Sequence, residues 1–113
     1  AAVGISSIYG IIAGPESPAY SASKAGLLGL TRTIAVRYAA EGIRANAICP
    51  GYIATDMVMA VREDVREKII QSIPVRRLGR AEEIASMCGW ISTDEAGFST
   101  GADFTCNGGL HMG

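Results

Sequence analysis

The chain has 113 residues, with 10 Lys plus Arg against 11 Asp plus Glu and a net charge of -1. So even a balance argues against a polybasic grip on nucleic acid or on an anionic membrane. Apolar residues at 49% and charged residues at 19% exclude a disordered chain and allow one core but not two.

The chain order of elements follows from pattern and punctuation. Ala2 to Ile5 is a short apolar run, the pattern of a strand buried on both faces. Tyr9 to Ser17 is loop-like, with Gly10, Gly14 and Pro15. Ser17-Pro18 is a helix start, Ser as N-cap and Pro at the first helical position. The helix is predicted from Pro18 to about Glu41, with Gly42 as its stop. Ala22, Ala25, Gly26, Leu28 and Gly29 give it small positions that another backbone can approach closely. Ile43 to Cys49 is predicted as a second strand, ended by Pro50-Gly51. Thr55 to Ser72 has helical spacing with a break near Val61. Ile73 to Arg80 is a basic loop whose Arg76, Arg77 and Arg80 are expected in solvent. Ala81 to Ser92 is a helix with Ile84, Met87, Cys88 and Ile91 on one stripe. Ala102 to Cys106 is a third strand, turned off by Asn107-Gly108-Gly109.

Alternating strands and helices imply an α/β fold with a parallel sheet. Three strands with two main helices leave the sheet incomplete on the side of Ala1, and no G-x-G-x-x-G occurs. There is no initiator Met. The expectation is therefore the C-terminal half of a larger α/β protein, residues 1–113 being the catalytic half and the cofactor-binding half lying upstream. No apolar run approaches the roughly 18 residues of a membrane span, and no charged leader precedes an apolar stretch. A cytoplasmic protein is expected. Cys49, Cys88 and Cys106 are widely spaced, and His111 is the single histidine. This set reads as reduced thiols, and no metal site is expected. Trp90 is read as core or interface packing.

The sharpest chemical signal is Tyr20-Ser21-Ala22-Ser23-Lys24. Four residues make about one helical turn, so Tyr20 and Lys24 share a face. An ammonium one turn away favours a phenolate, and such a phenol can exchange a proton with a carbonyl oxygen. Ser7 lies 13 residues earlier, at the end of the first strand. Ligands of parallel sheets gather at the C-terminal strand ends, so Ser7 and Tyr20 can converge on one oxygen. Pro50-Gly51 ends the second strand. Gly51 permits close backbone approach, and Thr55 is either a cofactor contact or a helix N-cap.

Ile5-Ser6-Ser7, Tyr20 with Lys24, Arg44-Ala45-Asn46, and Pro50-Gly51 with Thr55 together resemble the short-chain dehydrogenase/reductase family, over essentially the whole chain. The resemblance implies half of a Rossmann-like doubly wound parallel sheet, with three strands and flanking helices. It implies Tyr20 as acid-base, Ser7 orienting the substrate carbonyl, and Lys24 tuning Tyr20 and bonding the nicotinamide ribose. It further implies that Pro50, Gly51, Ile53 and Thr55 hold the nicotinamide. From Pro50-Gly51-Tyr52-Ile53 to the tail Asn107-Gly108-Gly109-Leu110-His111-Met112-Gly113, the chain is similar to bacterial members that reduce 3-oxoacyl thioesters. The implied reaction is acetoacetyl-CoA to (R)-3-hydroxybutyryl-CoA with NADPH, in polyhydroxybutyrate synthesis, with Tyr52 as a substrate contact and with NAD in place of NADP as the open alternative. The stretch Ile11 to Ala19 is closer to members acting on sugars, steroids or other alcohols. An acyl-carrier-protein thioester, a generic alcohol or sugar, and a non-catalytic fragment stay open as alternatives. Family members are commonly tetramers, built through the Tyr20 helix and the terminal helix and strand.

Overall fold

The computed structural model describes residues 1–11 and 18–112. Its centre is a three-stranded parallel sheet in the order β1 (Ala2–Ile5), β2 (Ala45–Pro50), β3 (Asp103–Cys106). Ala2 pairs with Ala45 and Ile5 with Ile48, while Ala47 pairs with Asp103 and Pro50 with Cys106. The middle strand β2 is buried from Ala45 through Cys49, which explains its small and apolar composition.

Strand alternation assigns the two faces. Ala47 and Cys49 meet Leu28 of α1 (Pro18–Tyr38) in a small core. Gly4 brings β1 against the same helix, because a Cβ there would stand 3.0 Å from the Thr31 hydroxyl. Asn46 and Ile48 point to the other face, which α4 (Ala81–Ile91) covers. Arg44 donates to the carbonyls of Ile91, Thr93 and Ser99, so a cation satisfies the C-terminal end of α4. Asn46 donates to Ser99 O at 3.0 Å and accepts from Ala102 N at 3.1 Å. Between β2 and α4 the chain forms α2 (Asp56–Met59) and α3 (Glu63–Ser72).

Element ends depart from the sequence expectation for identifiable reasons. The Pro18 helix ends at Tyr38 and tightens to a 3-10 turn over Ala39–Glu41, with Gly42 left-handed at φ 80°. The second strand starts at Ala45 because the two residues before it lead in from this turn, and Arg44 reaches across to α4. The third strand starts at Asp103 because Ala102 N is taken by the Asn46 side chain. Ser17, the expected N-cap, lies outside the described residues, as do the rest of the Ile12 to Ser17 part of the Ile11 to Ala19 stretch and Gly113.

The stripe on α4 is graded. Ile91 is fully buried, while Ile84, Met87 and Cys88 are half-buried. Trp90 is 46% exposed and rests edge-on against Phe104, centroids 6.3 Å apart. The arginines of the basic loop, Arg76, Arg77 and Arg80, are exposed as expected, and two of them are also paired. Arg77 makes a two-pronged pair with Glu83 at 2.7 and 2.9 Å, and Arg76 donates to Gln71 Oε1 at 2.7 Å. Among the described residues, nothing lies within 4 Å of a Cβ placed at Gly26 or at Gly29 on α1.

Candidate active site

Beyond Ile5 the ladder continues for one bond, Ser6 N to Ile48 O at 2.8 Å. The chain then turns into a 3-10 segment over Ile8–Gly10, capped by Ser7, whose hydroxyl accepts from Tyr9 N at 3.2 Å. That bond uses a lone pair and leaves the Ser7 hydroxyl its proton to donate. The segment is pinned to α1 in two ways. Ser6 Oγ donates to Lys24 O at 2.8 Å, and Gly10 lies so close that a Cβ would stand 3.1 Å from the Lys24 carbonyl carbon. Ser7 and the first turns of α1 are thus held in fixed relation.

Lys24 Nζ donates to Ile5 O at 3.3 Å and stands 5.6 Å from the centre of the Tyr20 ring. Tyr20 is half-exposed at the mouth of a cavity of about 280 Å³, which Ser7, Tyr9, Tyr52, Ile53 and Thr55 also line. Pro50, Gly51, Ser6, Met57 and Val58 complete the wall. Every site residue expected from the sequence except Lys24 lines this space; Lys24 sits one turn along, against the Tyr20 ring.

The loop after β2 is anchored on both sides. Gly51 N donates to Cys106 O at 3.0 Å, and Gly51 faces Asn107 so closely that a Cβ would lie 2.7 Å from the Asn107 Cβ. The close approach that Gly51 permits is therefore taken by this chain's own strand-end turn. Ala54 N donates to Gly79 O at 2.8 Å and Gly79 N to Tyr52 O at 2.9 Å. Thr55 caps α2, its hydroxyl accepting from Val58 N at 3.4 Å. Its residue is at once an N-cap and a wall of the cavity.

Four wall residues carried no site role in the sequence reading: Ser6, Tyr9, Met57 and Val58. Tyr9 is the most consequential, because its phenol shares a hydrogen bond of 2.9 Å with the Tyr52 phenol. The one available signal was an aromatic two residues after Ser7 in an otherwise small and apolar stretch. Burial pushes the Cys49 and Cys106 thiols up, so neither is an activated thiolate. The Arg77 guanidinium, helped by the Arg80 backbone N–H, holds the Glu83 carboxyl down at about 2.

A sheet that opens its strand ends onto a Ser, a Tyr-x-x-x-Lys turn and a Pro-Gly loop has the layout of a ligand crevice at the strand ends of an open α/β sheet. The family model described as Enoyl-(Acyl carrier protein) reductase matches residues 1–111. The chain belongs to the short-chain dehydrogenase/reductase family. It is 61% identical over 94 residues to the acetoacetyl-CoA reductase of Cupriavidus necator, covering 83% of this chain and 38% of that protein. The 3-oxoacyl-[acyl-carrier protein] reductase of Brucella melitensis superposes with a TM-score of 0.94 at 35% identity, covering 98% of this chain and 42% of that one. A 4-hydroxyisoleucine dehydrogenase solved with NADH superposes at 0.89 with 33% identity, over 98% of this chain and 46% of that one. The chain spans less than half the length of these relatives.

Proposed function

We propose that the chain is the C-terminal, catalytic half of an NADPH-dependent reductase that converts acetoacetyl-CoA to (R)-3-hydroxybutyryl-CoA. The observation that carries this reading is the convergence of Ser7, Tyr20 and Tyr52 with the Pro50 to Thr55 loop on one cavity at the strand ends. The identity to the Cupriavidus necator enzyme supports the substrate. The share of that enzyme covered supports a missing half, and so does β1, whose strand pairing among the described residues is with β2 alone.

The donor set suits a nicotinamide nucleotide. A ribose takes hydrogen bonds from an ammonium such as Lys24 and a phenol such as Tyr20. A carboxamide takes them from main-chain groups at Ile53 and from the Thr55 hydroxyl. Pro50 and Gly51 shape the turn beneath it. When bound there, the nicotinamide supplies the hydride. Ser7 donates a hydrogen bond to the substrate carbonyl oxygen, a role that its bond from Tyr9 N leaves open. Tyr20 gives its phenolic proton to the same oxygen as negative charge develops there. Lys24 lies against the Tyr20 ring, its ammonium fixed by Ile5 O. Tyr52 contacts the acyl thioester from the opposite wall.

The same site serves a 3-oxoacyl group carried on acyl-carrier protein, and the Brucella melitensis enzyme's name favours that second reading. A generic alcohol dehydrogenase is the further alternative, consistent with the 4-hydroxyisoleucine enzyme. Whole-protein assembly as a cytoplasmic homotetramer fits the open small-residue face at Gly26 and Gly29. Among the described residues no helix is long and apolar enough to cross a membrane. The test is oxidation of NADPH by the full-length protein with acetoacetyl-CoA. Turnover confined to sugars or secondary alcohols overturns the reading.

A further inference from the structure

Resting on the reading of this site as a 3-oxoacyl thioester reductase, we infer that Tyr9 is a positioning residue. It holds the Tyr52 phenol so that it donates a hydrogen bond to the second carbonyl of the substrate, the one beside sulfur. A 3-oxoacyl thioester carries two carbonyl oxygens separated by a single methylene. Ser7 and Tyr20 serve the one that is reduced, which leaves the other needing a donor in a partly enclosed cavity.

The Tyr52 main chain has little freedom. Its carbonyl accepts from Gly79 N at 2.9 Å, and the preceding Gly51 is wedged against Asn107. Only the side-chain torsions remain to set where the phenol points. Tyr9 sets them, with its hydroxyl 2.9 Å from that of Tyr52 and the rings edge-on at 73°. In the arrangement where Tyr9 donates, Tyr52 accepts and keeps its own proton for a ligand. Tyr9 is itself tied to the reacting end, because its backbone N–H bonds Ser7 Oγ at 3.2 Å. One residue thus couples the two points at which a 1,3-dicarbonyl would be held.

The experiment compares Tyr9→Phe, Tyr52→Phe and the double variant in the full-length protein with NADPH, on acetoacetyl-CoA and on 2-butanone, which lacks the second carbonyl. Tyr9→Phe is expected to raise KM for acetoacetyl-CoA about three- to tenfold, as for one lost hydrogen bond, with kcat falling less than about twofold. Its kcat/KM on 2-butanone should stay within about twofold of the parent, which also shows that the variant folds. Added to Tyr52→Phe it should change nothing more, since the hydroxyl that Tyr9 positions is then already gone. Additive losses, an equal loss on both ketones, or no loss on acetoacetyl-CoA each overturn the role of Tyr9. An unsubstituted protein that does not reduce acetoacetyl-CoA overturns the parent reading, and this inference with it. One that reduces it while Tyr9→Phe is indifferent overturns the inference alone.

Discussion

Gly51 and Asn107 meet backbone to backbone where β2 and β3 end. A Cβ at position 51 would lie 2.9 Å from the Asn107 Cα and 2.7 Å from its Cβ. The contact joins the loop carrying Tyr52, Ile53 and Thr55 to the turn after β3. Gly51→Ala forces main chain apart at the floor of the cavity, because neither partner is the flexible end of a side chain. Overpacking of this kind costs typically about 1–3 kcal/mol. Denaturant unfolding of the full-length protein should show that loss, together with a raised KM for the cofactor.

Tyr20→Phe removes the phenolic proton that the proposed mechanism uses and keeps the ring against Lys24. Turnover should fall at least about 10²-fold, the lower end for general acid catalysis. Cofactor affinity, measured by fluorescence titration, should change by less than about tenfold, the loss of one hydrogen bond. Retained turnover refutes the acid role.

Asn46 is 1% exposed and uses both ends of its amide to fasten the segment before β3. Asn46→Ala leaves Ala102 N without this partner and takes one of two donors from Ser99 O, which keeps Arg44. An orphaned group costs about 1–3 kcal/mol. The unfolding free energy of the variant should fall by at least about 1 kcal/mol in a denaturant melt, while the same change at solvent-exposed Gln71 should be nearly silent.

The Arg77–Glu83 pair makes stability depend on acid pH. In the folded chain Glu83 titrates at about 2, below its ordinary 4.5, so the unfolded chain binds more protons between these values. The contribution is complete above pH 4.5 and is lost as pH falls toward about 2. Glu83→Gln should flatten the stability profile in that window and leave its shape above it unchanged. High salt should shrink the effect, since both side chains are partly exposed.

The 113-residue chain alone offers β1 as a strand paired on one side among the described residues. An unpaired edge recruits other strands. The isolated chain should associate in size-exclusion runs and neither bind NADPH tightly nor turn over. A monomer that melts cooperatively contradicts this.

Much of the architecture was legible because it rests on local rules. Period and punctuation located β1, the long helix from Pro18, the break between α2 and α3, and α4. Gly42 marked the helix end because a left-handed residue is needed there. Tyr20, Lys24, Ser7 and the Pro50 to Thr55 loop were readable as a set because their spacing mirrors one helical turn and two strand ends. Local pattern did not announce the strand limits at Ala45 and Asp103. Those depend on where Arg44 and Asn46 reach, tens of residues away in the chain.

The sequence by itself determined the family, the strand and helix order, and most of the side chains that gather where the strands end. These follow from residue types at short spacing, where sterics and periodicity act. Only the tertiary structure decided that Gly51 serves Asn107 and that Tyr9 grips Tyr52 across 43 positions. Such contacts join segments far apart in the chain, and their geometry exists only once the parallel sheet has brought its strand ends side by side.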